Sequence, residues 1–94
     1  PAYGIYAVRV SVVEDDVVTA RYDGVANFGI RPMFEIATPL METYLFDFSG
    51  DLYGKQIAVE LVAYLRPEAK FASVDALKAQ MTQDATDAKR VLRG

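Results

Sequence analysis

The sequence predicts a mainly β domain, a small antiparallel barrel or sandwich, with one α-helix packed on it at the C-terminal end. Three observations carry this prediction. Apolar and polar residues alternate over much of the chain, as they do in half-buried strands. Turn-forming residues recur at short intervals between the alternating segments. From Ser73 onward the apolar residues recur at helical spacing instead.

The first strands are predicted from alternation and turn residues. Residues 3–13 form the first strand, and its core face is expected to carry Tyr6, Val8, Val10 and Val12. Acidic residues 14–16 predict a turn, and residues 17–22 predict the returning strand. Because Asp23-Gly24 is a frequent turn pair, we expect a break there and a third strand at residues 25–29.

The middle of the chain predicts a loop followed by a hairpin. Residues 29–39 are expected to form the loop, because a residue that precedes proline is disfavoured in a helix. Residues 41–48 predict a strand, and a tight turn follows at 49–51. The returning strand at 55–65 is expected to present one apolar side, formed by Ile57, Val59, Leu61, Ala63 and Leu65.

The last segment predicts an amphipathic helix. Ser73 is the expected N-cap and Asp75 lies in the first turn, where a negative charge suits the helix dipole. Gly94 closes the segment after basic residues. The apolar stripe consists of Leu77, Met81, Ala85, Ala88 and Leu92. About five short strands and one helix are therefore expected.

Composition excludes several classes of function. The 94 residues suffice for one domain, and they include no Cys and no His, so disulfides, thiolate metal sites and a histidine base are excluded. Ten basic and thirteen acidic residues give a net charge of -3, which disfavours nucleic acid and anionic lipid as partners. No apolar run approaches the roughly 20 residues of a membrane span, and no signal peptide is evident, so we expect a cytoplasmic protein.

Short motifs give weak signals when each is taken alone. Residues 50–55, GDLYGK, resemble a phosphate-binding loop but have one residue too few between the glycines, and Gln56 follows the lysine. A hairpin turn is the favoured interpretation. The acidic residues 14–16 could bind a cation, but a solvated turn is favoured. In GVANFG, residues 24–29, Asn27 is a candidate to lie near a phosphate, because glycines permit close backbone approach.

Glu42 raises the sharpest question in the sequence. It opens the segment METYLFDF, which is otherwise largely apolar and aromatic, and strand interiors usually exclude charge. One interpretation is an edge-strand carboxylate paired with Arg or Lys. The other is a carboxylate that performs chemistry. Residue types alone leave both open.

Three blocks taken together resemble the riboflavin kinase family. They are YDGVANFGIRPMF (22–34), METYLFDFSGDLYGK (41–55) and LRPEAKFASVDALKAQMTQDATDAKRVL (65–92). The chain is similar to the C-terminal module of bacterial bifunctional riboflavin kinase/FMN adenylyltransferase, also called FAD synthetase. The resemblance covers essentially the whole chain. It implies a six-stranded antiparallel Greek-key barrel with a C-terminal helix.

The resemblance implies a reaction and a set of site residues. Glu42 matches the catalytic base that takes the proton from the ribityl 5′-hydroxyl of riboflavin as this oxygen attacks the γ-phosphate of ATP, giving FMN. Residues matching the nucleotide site are Leu45, Asp47 and Tyr53. Residues matching the loop over the flavin are Arg66, Ala69, Lys70 and Phe71. Structural alternatives stay open for two of these residues. Arg66 could be a solvated charge or could cap a carbonyl group, and Phe71 could be a hydrophobic staple that packs on the first turns of the helix.

One departure from the family pattern stands out. The resemblance implies an earlier strand and a glycine-containing loop ending in a Pro-Thr-Ala-Asn motif that holds magnesium and the ATP phosphates, and this sequence contains neither. We therefore expect a barrel without its first strand, with the metal ligands absent and little kinase activity from these 94 residues alone. An unpaired barrel edge also predicts self-association. A flavin-binding or protein-assembly module without catalysis is the alternative function.

Overall fold

The computed structural model describes residues 2–33 and 36–94, and the side chains of residues 31–39 lie outside that description. Within these residues there are four strands and one helix: β1 (Gly4–Glu14), β2 (Val17–Met33), β3 (Ile36–Leu45), β4 (Gln56–Arg66) and α1 (Val74–Arg93). The strands form an antiparallel sheet in the order β3-β2-β1-β4, so β3 and β4 are its edges. The predicted class, an antiparallel β fold with a C-terminal helix, is confirmed.

The β1–β2 hairpin turns where the sequence predicts, but β2 is longer than expected. Asp15 and Asp16 have φ angles of 51° and 64°, as the tight mirror-image hairpin turns require. β2 then runs for 17 residues without a break at Asp23-Gly24. A Cβ atom at Gly24 would lie 2.3 Å from the carbonyl oxygen of Tyr44 on β3. This glycine therefore permits close strand approach, and the turn predicted here is wrong.

The predicted loop at residues 29–39 is also mostly strand. β2 continues to Met33 and β3 begins at Ile36, while residues 34–35 lie outside the described part. Pro39 lies on β3, an edge strand of the sheet, which is where proline is tolerated within sheets. β3 ends at Leu45, three residues earlier than predicted, and Asp47 adopts a φ of 55° in the turn that follows.

Both faces of the sheet are buried near its centre. The first face carries the predicted core of β1, with Val8 and Val10 almost fully buried. On the second face, Ala7 packs against Ala88 of α1. A bulge between the pairs Ala7–Ala63 and Val8–Leu61 shifts the β4 side chains between faces. The single apolar side predicted for β4 is therefore wrong, because Leu61 packs on the first face and Ala63 on the second.

The helix forms where it is predicted, and both of its ends are capped. The Ser73 hydroxyl accepts a hydrogen bond from the Ala76 N–H at 3.1 Å. At the other end, Arg9 Nη2 of β1 donates to the carbonyl oxygen of Leu92 at 2.7 Å. The positive charge of Arg9 at the helix C-terminus also interacts favourably with the helix dipole. α1 is thus fixed on the second face of the sheet.

The Gly24 contact gives a stability prediction. Gly24→Ala places a methyl group against the backbone of β3, and we expect a loss of about 1–3 kcal/mol in the free energy of unfolding. Urea unfolding followed by circular dichroism measures it. Gly94→Ala is the control, since the nearest atom to its added Cβ is the carbonyl oxygen of Arg90 at 3.7 Å. Equal stability of the two variants would contradict the close-approach explanation.

Candidate functional site

A row of four residues crosses the second face of the sheet from edge to edge. The strand register pairs Glu42 of β3 with Asn27 of β2, Asn27 with Ile5 of β1, and Ile5 with Arg66 of β4. Directly opposed residues of antiparallel strands share a face. With strands about 4.8 Å apart, the row spans roughly 14 Å from Glu42 to Arg66. Two predicted site residues thus stand at the two ends of one row.

A cleft of about 1300 Å³ lies over this row. Its floor is the second face of the sheet, one wall is α1, and the segment 67–71 after β4 contributes the remaining wall. The row residues Glu42, Asn27, Ile5 and Arg66 all line it. Apolar side chains that line the cleft while remaining exposed are Ile30, Tyr44, Leu77 and Met81. Exposed apolar groups gathered in a concave site are typical of a ligand cleft.

Arg66 is held at its end of the row by Asp84 of α1. Arg66 Nε donates to Asp84 Oδ1 at 2.8 Å, and Arg66 Nη2 donates to Asp84 Oδ2 at 2.6 Å. Gln80 Nε2, one helical turn away, donates to Asp84 Oδ1 at 2.9 Å. This two-pronged pairing fixes the plane of the guanidinium as well as its position. Asp84 is the buried charged residue of the described chain, with 4% of its surface exposed.

The ion pair shifts the pKa of both partners. Burial raises the pKa of Asp84, but the hydrogen bonds from Arg66 and Gln80 outweigh burial and hold this pKa below its usual value. The hydrogen bond to Asp84 raises the pKa of Arg66 above its ordinary value. Both groups are therefore charged at neutral pH, and the positive charge of Arg66 is largely balanced within the wall of the cleft.

The segment after β4 is tied to the same guanidinium. Arg66 Nη1 donates to the carbonyl oxygen of Pro67 at 3.0 Å, and the Arg66 Cζ lies 5.9 Å from the centroid of the Phe71 ring. From this segment the Glu68 carboxylate reaches back to β2, where a Cβ on Gly29 would lie 2.1 Å from Glu68 Oε1. Ala69 and Lys70 line the cleft between these contacts. The predicted flavin-loop residues therefore all border the cleft.

Glu42 lies on the open side of the cleft, at the opposite end of the row from Arg66. Its side chain is exposed and lines the cleft on edge strand β3. A carboxylate in this position is accessible to a ligand in the cleft and to one that approaches around the sheet edge. This geometry is compatible with the role of base, which requires hydrogen-bond reach of the reacting hydroxyl.

The three residues that the sequence assigns to the nucleotide lie away from the cleft. Leu45 packs against the core of the first face, opposite to the face of Glu42. Asp47 is exposed in the turn after β3. Tyr53 is 96% exposed on the connection between β3 and β4. The structure therefore places Glu42 and the residues predicted for the flavin in one cleft, and the residues predicted for the nucleotide outside it.

The segment GDLYGK lies in the connection between β3 and β4, which are the two opposite edges of the sheet, so the predicted hairpin of these strands is wrong. The segment itself forms local turns. The Lys55 N–H donates to the carbonyl oxygen of Leu52 at 2.9 Å, and the Tyr53 N–H donates to Asp51 Oδ1 at 2.6 Å. The Lys55 ammonium pairs with Glu14 of the acidic turn. The hydrogen bond between them lowers the pKa of Glu14 and raises that of Lys55. The Lys55 ammonium is therefore paired with Glu14 and does not act as the lysine of a phosphate-binding loop.

Asp84 and Glu68 line the cleft and Gln80 donates to Asp84, but the sequence does not predict a place for any of them at the site. Asp84 carried a usable signal, because it lies on the apolar stripe of the helix between Met81 and Ala85. A charge on an apolar stripe indicates a buried partner. Glu68 carried no such signal, since its contact with β2 depends on how the segment 67–71 folds back over the sheet.

Two features are absent from residues 2–33 and 36–94. No group of three or more carboxylate side chains is arranged there to hold a metal ion. No helix in that part of the chain combines the length and the apolarity that a membrane span needs.

The Arg66–Asp84 pair predicts a pH-dependent stability. Asp84→Asn weakens a charge-assisted pair and leaves the Arg66 charge uncompensated, so we expect a loss of about 1.5–3 kcal/mol in unfolding free energy near neutral pH. The pKa of Asp84 is lowered from 3.8 in the folded protein. The contribution of the carboxylate is therefore complete above about pH 5 and disappears as the pH falls through the folded-state pKa. Urea unfolding at several pH values should show the two proteins converging in acid.

Asp87→Asn is the matched control for this prediction. Asp87 lies on the same helix and pairs with Arg90, whose side chain is 67% exposed. We expect this variant to lose less than about 1 kcal/mol, because exposed pairs are screened by water. Similar losses for the two variants at neutral pH would contradict the role assigned to Asp84.

Comparison with known proteins identifies the family. The family model for flavokinase, that is riboflavin kinase, matches residues 1–92. Bifunctional riboflavin kinase/FMN adenylyltransferases of Haemophilus influenzae and Escherichia coli K12 are 40% and 39% identical to the chain over 89 residues. The corresponding enzyme of Bacillus subtilis is 36% identical over 93 residues.

These alignments cover nearly all of this chain but a small part of each relative. They include 95%, 95% and 96% of the chain, which spans 28%, 27% and 28% of the length of the three relatives. A solved structure of a macrolide-efflux protein from Streptococcus pneumoniae has a TM-score of 0.75 and 32% identity, and the match covers 89% of this chain and 26% of that chain. Because the family model extends over almost the entire sequence, the chain belongs to the riboflavin kinase family.

Proposed function

We propose that this chain is the riboflavin kinase domain of a bifunctional enzyme and that it binds riboflavin in the cleft over the second face of the sheet. The observation that carries the proposal is the row across the sheet, which places Glu42 and Arg66 at opposite ends of one cleft. Family membership and the names of the relatives supply the reaction: transfer of the γ-phosphate of ATP to riboflavin, giving FMN.

The walls of the cleft suit a flat, amphipathic ligand. Phe71 offers an aromatic face, and Arg66 carries a planar guanidinium whose orientation Asp84 fixes. Leu77 and Met81 of α1 extend the apolar wall. An isoalloxazine ring has stacking faces and a polar edge, so we assign the ring to the end of the cleft bordered by Arg66, Ala69, Lys70 and Phe71.

With the ring at that end, the ribityl chain extends along the row toward Glu42. Glu42 is proposed to accept the proton of the 5′-hydroxyl as its oxygen forms a bond to the γ-phosphorus of ATP and the bond from this phosphorus to the ADP oxygen breaks. A positioned general base supplies about 10²–10⁴-fold in rate. Phosphoryl transfer asks the protein mainly to position its reactants, so a chain without His or Cys can perform it.

The nucleotide is proposed to approach from the other side of β3. Leu45, Asp47 and Tyr53 follow Glu42 along the chain, and Leu45 faces away from the cleft. β3 is an edge strand, so a nucleotide on that side can reach Glu42 around the sheet edge. The two substrates would then meet at the edge, each bound on its own face.

Magnesium is the expected companion of ATP, but the described residues do not form a site for it. Three carboxylates border the cleft, those of Glu42, Glu68 and Asp84. Asp84 is already saturated by Arg66 and Gln80, and the described chain contains no cluster of three metal-ligating side chains. We therefore assign no step of the reaction to a metal held by these residues.

A second candidate function, a protein-assembly module, is favoured by the sheet edges. β3 and β4 are both edge strands, and β4 exposes Ile57 and Tyr64, which are 44% and 47% accessible. Exposed edges with apolar side chains can pair with another chain. Titration of riboflavin fluorescence together with analytical sedimentation distinguishes the two candidates.

We expect the chain to quench riboflavin fluorescence saturably, because the ring would stack in the cleft. We also expect self-association to increase with protein concentration, as the exposed edges predict. Stable oligomers without any flavin binding would contradict the kinase proposal and favour the assembly module. A monomer at high concentration would contradict the edge-pairing expectation and leave the flavin site unaffected.

Glu42→Gln tests the catalytic assignment. The amide keeps the shape of the side chain but cannot take up the proton, so we expect turnover to fall about 10²–10⁴-fold while riboflavin affinity changes little. FMN formation is measured in the natural full-length protein, because the relatives are longer than this chain.

Glu60→Gln is the control for that measurement. Glu60 is an exposed carboxylate on β4, paired in register with Arg9 and outside the cleft. The Glu60→Gln variant should retain near wild-type turnover. Near wild-type turnover of Glu42→Gln would remove Glu42 from the role of base.

A further inference from the structure

Asn27 carries a buried hydrogen-bond acceptor without a partner. Its Oδ1 atom is the buried side-chain atom of the described residues that makes no hydrogen bond. The large majority of buried polar side-chain atoms in proteins are paired, because an unpaired one forfeits the hydrogen bonds it makes in water. An unpaired acceptor at a ligand site therefore indicates a donor that arrives with the ligand.

The position of Asn27 ties this acceptor to the proposed reaction. Asn27 is directly opposite Glu42 in the β2–β3 register, and both residues line the cleft. Side chains directly opposed across an antiparallel pair have Cβ atoms about 4.5–5.5 Å apart. A group that contacts Asn27 therefore lies beside the group that contacts Glu42, on the side toward the centre of the sheet.

The chemistry of Asn27 Oδ1 indicates which kind of ligand group can donate a hydrogen bond to it. An amide oxygen can only accept a hydrogen bond, and the oxygens of an ionised phosphate can only accept as well, so Oδ1 does not suit a phosphate. A hydroxyl can donate to it. The carboxylate of Glu68 lies against Gly29, two residues farther along β2 on the same face. A slender chain of hydroxyl-bearing carbons can pass beside Glu68 to a buried acceptor more readily than a broad ring can.

We propose that Asn27 Oδ1 accepts a hydrogen bond from a hydroxyl of the ribityl chain of riboflavin, close to the reacting 5′-hydroxyl. Asn27 is then a specificity-determining residue that selects flavins carrying a polyol chain. This inference rests on the proposed flavin site. It refines the earlier expectation that Asn27 lies near a phosphate, because it assigns the buried oxygen to the substrate chain instead.

Asn27→Leu tests the inference, with riboflavin and lumiflavin as the two ligands. Lumiflavin has the same ring with a methyl group in place of the ribityl chain. Leucine has nearly the shape of asparagine and no acceptor, so we expect riboflavin to bind about two- to twelvefold more weakly, as for the loss of one neutral hydrogen bond. The dissociation constant for lumiflavin should stay unchanged. Both constants come from fluorescence titration of the 94-residue chain.

Two further variants keep the test decisive. Gln83→Leu removes a similar amide from the exposed face of α1, where it donates to Asp87, and should change neither constant. Asn27→Ala removes the acceptor without adding bulk, and it should weaken riboflavin selectively even if the leucine variant fails to fold. Melting temperature is measured for each variant, and a leucine variant as stable as the wild type shows that the binding loss is local.

The outcomes separate this inference from the proposed function. Riboflavin binding that is unchanged in the Asn27 variants, or riboflavin and lumiflavin binding weakened equally, would overturn the role of Asn27 while the flavin site stands. Failure of the wild-type chain to bind either flavin would overturn the flavin site, and the inference with it. A selective loss for riboflavin supports both.

Discussion

The ion pair between Arg66 and Asp84 is the interaction on which the site depends. It joins the last residue of β4 to the middle of α1, and through Pro67 it also holds the start of the segment that walls the cleft. A carboxylate as buried as Asp84 is tolerated only when it is paired and hydrogen-bonded, and here Gln80 completes the set. Without this pair, the helix and the cleft wall would lose their common anchor.

The same constraint explains why the cleft has two chemically different ends. At the Arg66 end, Asp84 balances the charge of the guanidinium and Phe71 offers an aromatic face, which suits a ring. At the Glu42 end, the carboxylate stands on an exposed sheet edge where a second substrate can approach. The row across the sheet holds these ends roughly 14 Å apart, so one ligand can contact both. The proposed binding end and the proposed catalytic end would then lie on a single register line.

Much of the fold could be predicted from local patterns, and the errors have identifiable physical causes. The alternation of β1, the acidic turn and the Ser73 cap are local features, and the structure bears them out. The turn predicted at Gly24 was wrong because this glycine allows close approach of β3, a contact that the neighbouring sequence does not reveal. The single apolar side predicted for β4 was wrong for a similar reason. The bulge that moves its side chains between faces depends on pairing with β1, which the sequence of β4 does not reveal. Among the site residues, Glu42 and Arg66 came from the family resemblance, whereas the partner of Arg66 required the packed helix.

The most direct test of this account is a crystal structure of the protein with riboflavin bound. We expect the ring between Phe71 and α1, the ribityl chain along the row across the sheet, and the 5′-oxygen about 2.6–3.2 Å from a carboxylate oxygen of Glu42. A flavin bound on the Leu45 face of the sheet, or beside Lys55 in the β3–β4 connection, would contradict it.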